Sequence, residues 1–163
     1  MSYDADDTRA LATLGRLTSG ALHEISNPLV ALLGSAELAL GDARPGTKLH
    51  DRLSLAHRSG TEIVEVVRAL QAFVRLQTEP PRAVSVGDEA AEAVALVDLV
   101  LPVHDVELSA RGDTTIMAAP GELRRQLVEL LVTALDDPDR GATIELVVEG
   151  DLVTATGGGE LRL

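Results

Sequence analysis

The sequence predicts an α+β protein in which a long helical hairpin comes first and a small α/β sandwich follows. Three observations carry this. Apolar residues recur at alternating three- and four-residue steps from Leu11 to Leu40 and again from Leu49 to Val74, the period of packed helices. After Glu79-Pro80-Pro81 that period gives way to short alternating runs of strand type. Hydrophobic residues make up 45% of the 163, yet Tyr3 and Phe73 are the only aromatics, so the core must be built from Leu, Val, Ala and Ile. The expected domains are 1–79 and 80–163.

The first helix is read from Leu11 to Leu40, with Asp7 or Thr8 as its cap and the residues before them frayed. Its seam runs Leu22, Ile25, Leu29, Leu32, Ala36, Ala39. Gly41 to Gly46 has turn composition. The second helix reaches about Thr78 with the heptad Leu49, Leu53, Ala56, Gly60, Ile63, Val67, Leu70, Val74, and the proline pair ends it. A lone hairpin cannot cover two apolar seams, and each buried Leu or Ile contributes roughly 1.5–3 kcal/mol. A homodimer forming a four-helix bundle is therefore expected. Residues 83–86 read as a strand, and Asp88 is expected to cap a helix over 89–101. Strands follow at 105–110 and 114–118, then a helix from Pro120, a favoured first position. A strand with Ile144, Leu146 and Val148 turns at Gly150-Asp151 into Leu152–Ala155, completing one small mixed sheet with helices on one face.

The net charge of −12 is unevenly spread, with 8 Lys/Arg against 10 Asp/Glu in residues 1–79 and 6 against 16 in residues 80–163. Neither half offers the basic surface that a nucleic acid or an anionic membrane requires. Without cysteine there is no disulfide or thiolate metal site. No run approaches the ~20 apolar residues of a membrane span, and the acidic start is unlike a signal peptide, so a cytoplasmic location is expected.

Within the first helix, Ala21-Leu22-His23-Glu24-Ile25-Ser26-Asn27-Pro28-Leu29 stands apart. At about 100° per residue His23 points away from the seam, and Asn27 follows one turn later on the same side. Arg16, Gly20, Ala31 and Gly34 share that arc, a nucleophile-capable imidazole among small residues. Pro28 lacks an N–H and frees the Glu24 carbonyl, which is expected to bend the helix there. His23, Glu24, Asn27, Pro28 and Leu29 together resemble the phospho-acceptor box of two-component sensor histidine kinases. The next His required by a zinc protease is Asn27 here, so zinc is not expected. His50 and His57 are read as solvated surface, and His104 carries no signal.

The second half resembles a shortened ATP-binding domain of the same kinases. Residues 123–137 follow the asparagine-box helix in their apolar frame, but Glu129 and Thr133 stand where that family has its nucleotide- and Mg²⁺-binding asparagines. Ala155-Thr156-Gly157-Gly158-Gly159 matches the Asp-x-Gly-x-Gly box with Ala155 in place of the adenine-reading Asp. The glycine run lacks the Lys of a phosphate loop. The resemblance thus implies a fold kept without its nucleotide site. It further implies a histidine phosphotransferase of a phosphorelay, exchanging phosphate at His23 with response-regulator receiver domains or a hybrid kinase that carries one. In this reading His23, Glu24 and Asn27 are the catalytic residues, with His23 the nucleophile and Glu24 the base, and Arg16, Gly20, Ala31 and Gly34 are docking surface. No cofactor is expected on this chain; Mg²⁺ would sit on the receiver. Two other roles stay open: a receiver phosphatase in which Asn27 orients water, and a non-catalytic pseudokinase scaffold.

Overall fold

A computed structural model describes residues 5–101, 106–135, 143–156 and 159–163 (without the side chains of 5–14 and 16) and divides the chain into two compact units, Met1–Val74 and Arg75–Leu163. The first is the hairpin of α1 (Ala5–Asp42) and α2 (Lys48–Leu76). α1 begins before Asp7 and Thr8, so neither residue caps it. The turn uses Gly46 at φ 80°. Thr47 then caps α2, its hydroxyl accepting from the His50 N–H at 3.3 Å.

The hairpin corrects the expected seam. α1 turns Leu22, Ser26, Leu29, Leu33, Ala36 and Leu40 inward, whereas Ile25 and Leu32 are 47% and 59% exposed and Ala39 is also exposed. α2 answers with Leu53, His57, Gly60, Val64, Val67, Gln71 and Val74. A Cβ on Gly60 would lie 2.6 Å from Leu33 Cδ2, so the helices approach closely there. His50 and His57 are half-buried, not solvated surface. Each helix therefore carries a second apolar stripe beside its inward face. Ile25, Leu32 and Ala39 form it on α1, and Leu49, Ala56 and Ile63 on α2, all exposed.

The second unit adds β1 (Arg82–Ser85), α3 (Val86–Val100), β2 (Glu107–Arg111), β3 (Thr115–Ala118), α4 (Pro120–Leu135), β4 (Thr143–Glu149), β5 (Leu152–Ala155) and β6 (Glu160–Arg162). In place of one mixed sheet there are two among the described residues. β1 pairs antiparallel with β3, and the second sheet has the order β2-β4-β5-β6, with β2 parallel to β4. The parallel pair follows from α4 lying in the β3-to-β4 crossover, since a parallel return needs a long connection. β6 was not foreseen.

Ile144, Leu146 and Val148 alternate inward on β4 and meet Leu123, Leu127, Leu131 and Ala134 of α4 with Ala90, Ala93 and Val97 of α3. Ser85, three residues before the expected Asp88, caps α3: its Oγ accepts the Asp88 N–H at 3.0 Å and donates to Asp113 at 2.9 Å. The Gly87 N–H also donates to Asp113, at 2.8 Å. That bond, followed by the one from Ser85, holds the Asp113 carboxyl below its ordinary range. Between α3 and α4, Arg124 and Glu89 pair at 2.7 Å with side chains 16% and 8% exposed. Removing either partner would strand a desolvated charge.

Gly121, in the first turn of α4, lies against the chain at Leu76 and Gln77. A Cβ there would fall 2.6 Å from the Gln77 Cα and against the Leu76 carbonyl oxygen. Backbone cannot rotate away as a side chain can, so Gly121→Ala is expected to destabilise the second unit by about 1–3 kcal/mol. A urea transition monitored on residues 75–163, for instance by hydrogen exchange, checks it. An unmoved midpoint would show that this close approach is not held in solution.

Candidate functional site

α1 carries the candidate residues on one unbroken helix, with Pro28 inside it. Helical geometry fixes their relation to the hairpin. Taking Leu22 as the inward direction, His23 stands about 100° away, Gly34 about 120°, Asn27 about 140° and Ala31 about 180°. His23, Glu24, Asn27, Gly20, Ala31 and Gly34 are all exposed. Arg16 lies two turns before His23 on the same helix, its side chain outside the described set. The exposed apolar stripe of Ile25 and Leu32 lies on the opposite flank, Leu32 about 180° from His23. Imidazole and apolar stripe thus occupy different sides of α1.

Gly20 and Gly34 have open space where a Cβ would stand, with nothing within 4 Å. The hairpin does not require glycine at either place, whereas at Gly60 a Cβ would meet the Leu33 side chain. The surface beside His23 is low, and the fold gives no reason for it. Pro28 removes the N–H that would bond the Glu24 carbonyl, so the backbone ladder is one bond short in the turn after His23.

One contact near the site was not read from the sequence. The Gln71 side-chain amide donates to the Leu22 carbonyl at 3.2 Å, joining α2 to α1. Its signal was a polar residue at an inward position of α2, between Val67 and Val74, but the expected heptad placed Leu70 there instead.

In the second unit the positions compared with the nucleotide box are described in part. Glu129 and Thr133 are exposed on α4. The Glu129 carboxylate accepts from Arg125 Nη1 at 3.1 Å, and Arg125 also binds Glu122 at 2.7 Å. That second bond is the main cause holding the Glu122 carboxyl below its ordinary value. Ala155 is buried in β5. Gly157, Gly158, Asp136, Asp137 and His104 lie outside the described residues.

The His Kinase A (phospho-acceptor) domain matches residues 13–79, the span that holds His23, α2 and most of α1. The hairpin is a histidine-kinase phospho-acceptor domain. Similarity to curated proteins extends beyond this phospho-acceptor domain. An uncharacterized sensor-like histidine kinase of Rhizobium meliloti is 24% identical over 153 residues, which is 86% of this chain and 29% of that protein. The sensor kinase CckA of Brucella abortus is 26% identical over 142 residues, covering 85% of this chain and 15% of its own length. The sensor histidine kinase ZraS of Salmonella typhi is 26% identical over 137 residues, 82% of this chain and 30% of the relative. The chain thus spans less than a third of each of these proteins. Phospho-acceptor domains of this family carry histidine phosphorylation in two-component signalling, and they dimerise. No helix among the described residues is long and apolar enough to cross a membrane.

Proposed function

We propose that the protein is a homodimeric histidine phosphotransferase that exchanges a phosphoryl group between His23 and the aspartate of response-regulator receiver domains, without using ATP. The observation that carries this reading is the exposed His23-Glu24-x-x-Asn27-Pro28 box on the side of α1 turned away from α2, within a phospho-acceptor domain. The chemistry is nucleophilic catalysis by a neutral imidazole. A ring-nitrogen lone pair attacks phosphorus as the aspartyl P–O bond breaks, and the departing electron pair stays on the receiver's carboxylate. The ring becomes a phospho-imidazolium whose remaining N–H proton passes to Glu24 or is held by it. Mg²⁺ and a cation on the receiver neutralise the transferring oxygens. The open ground at Gly20, Ala31 and Gly34 admits the receiver, and Arg16 adds a charge to its docking face.

The ATP-free part of the proposal rests on the second unit, read as a degenerate ATP-binding domain. Glu129 stands where a kinase needs a neutral, metal-binding amide, and its carboxylate is engaged by Arg125. An anion there repels the phosphates that an asparagine would help to bind. Thr133 and Ala155 complete the substitution of the nucleotide-binding side chains. Titration calorimetry with ATP and Mg²⁺ is expected to show no micromolar binding, and a sub-millimolar isotherm would restore an autokinase reading. The transfer itself is tested by mixing the chain with radiolabelled phospho-receivers. Label is expected on His23, acid-labile and base-stable as a phosphoramidate is. The exposed Asn27, one turn from His23, favours a second reading, in which it orients water for receiver dephosphorylation. That reading predicts release of inorganic phosphate with no lasting label on the chain. A panel of receivers that neither transfers nor loses phosphate would leave a scaffold role.

A further inference from the structure

The inward face of α2 runs Val64, Val67, Gln71, Val74, apolar except for one amide. Val64 and Val67 are buried and Gln71 is half-buried. A long polar side chain in such a row is costly unless its hydrogen bonds are met. Gln71 meets one of them on the other helix, at a backbone carbonyl 49 residues away in the chain. That carbonyl belongs to Leu22, itself buried. Because the peptide unit is planar, the Leu22 carbonyl and the His23 N–H move as one plate. Gln71 therefore grips the peptide group from which His23 is suspended. The grip falls close to a gap in the helical ladder of α1, since the bond that Pro28 cannot make leaves the Glu24 carbonyl, two residues on, without its helical donor.

We propose that Gln71 is a positioning residue for phosphoryl transfer, holding the His23 turn of α1 in a fixed orientation against α2 so that the imidazole meets the receiver in line. This rests on His23 being the phospho-acceptor. Within α1 the Leu22 carbonyl is also where the regular helical bond from residue 26 falls, so losing the Gln71 bond leaves no orphaned buried group. Stability and transfer should accordingly separate.

The test uses the full chain and a radiolabelled phospho-receiver, with Gln71→Leu, Gln71→Glu and Gln71→Lys. Leu keeps the row apolar without a donor, Glu keeps the shape without a donor, and Lys returns a donor of similar reach. In Gln71→Leu, kcat for phospho-His23 formation is expected to fall about ten- to a hundredfold, the scale of a misplaced reacting group. KM for the receiver and the hairpin's melting temperature are expected to stay near wild type. Amide exchange over residues 23–27 should quicken in the same variant. Gln71→Glu, whose charge also faces the Leu22 carbonyl oxygen, should lose at least as much transfer as Leu, and Gln71→Lys should recover part of the rate. A Gln71→Leu chain transferring at the wild-type rate overturns the inference, as does a loss expressed in KM alone or one that tracks loss of helicity. A wild-type chain that never acquires phosphate removes the phospho-acceptor reading and this inference with it. One that does acquire it, alongside an unaffected Gln71→Leu chain, removes the inference alone.

Discussion

His23→Ala is expected to abolish phosphoryl transfer to the chain while leaving its circular dichroism and melting curve unchanged. The side chain is exposed and stands about a quarter turn from the inward face of α1, so its removal opens no cavity. The nucleophile itself is lost, and His50 and His57, the other histidines among the described residues, are both half-buried and poorly placed to replace it. Neighbouring changes separate chemistry from access. Gly34→Arg should impair transfer by bulk in space that is now open, acting on receiver KM. Glu24→Ala should slow the step at saturating receiver. Asn27→Ala should spare phospho-His23 formation if the protein is a relay and remove most phosphate release if it is a phosphatase. Rates from labelled receivers, with and without unlabelled competitor, distinguish these. Retained label in His23→Ala would place the acceptor elsewhere and sink the proposed site.

The second large effect concerns assembly. Leu32 is 59% exposed and Ile63 48% exposed within a single hairpin. If the protein were a monomer, aspartate at either place would change stability by no more than about 0.5 kcal/mol, as exposed substitutions do. If two hairpins close over these stripes, the same aspartate becomes an unpaired buried charge costing about 3–5 kcal/mol. Light scattering is expected to give the wild type twice its monomer mass of 17.1 kDa. Leu32→Asp and Ile63→Asp are expected to dissociate or unfold it. A folded monomer in the wild type, indifferent to both changes, would end the dimer proposal.

The hairpin and the alternating strand at 144–148 were legible because one periodicity each defines them. The seam was not, and the reason is geometric. Ile25 and Leu32 lie only about 60–80° from Leu22 around the helix. Two apolar stripes that close together produce one broad signal, and periodicity cannot say which stripe meets α2. The structure resolves it through Leu33 and Gly60, whose contact depends on a partner 27 positions away. His50 and His57 misled for a related reason: a polar residue in a helical seam looks like surface until the opposing helix is known. Ser85 and Asp88 were both competent caps. Ser85 prevails because its hydroxyl also reaches Asp113 on a distant turn. β6 is three residues long, too short for any periodicity to register. The His23 box, by contrast, is written on consecutive turns of one helix, so its arrangement needed no tertiary knowledge. Gln71 did need it, since its meaning lies in a carbonyl on the other helix.

The empty space over Gly20 and Gly34 has an evolutionary consequence. A glycine inside a helix forgoes about 0.8–1 kcal/mol relative to alanine, and here no neighbouring atom demands the sacrifice. Mutation can therefore enlarge either position while the hairpin keeps or gains stability. Under the proposed docking role, such changes would be screened by whom the helix can still meet, not by whether it folds. If this patch is the proposed docking face, the population of viable sequences could drift across it, exchanging one receiver for another, with folding acting as a bystander. Duplicated copies of the chain would be expected to part company first at these two positions.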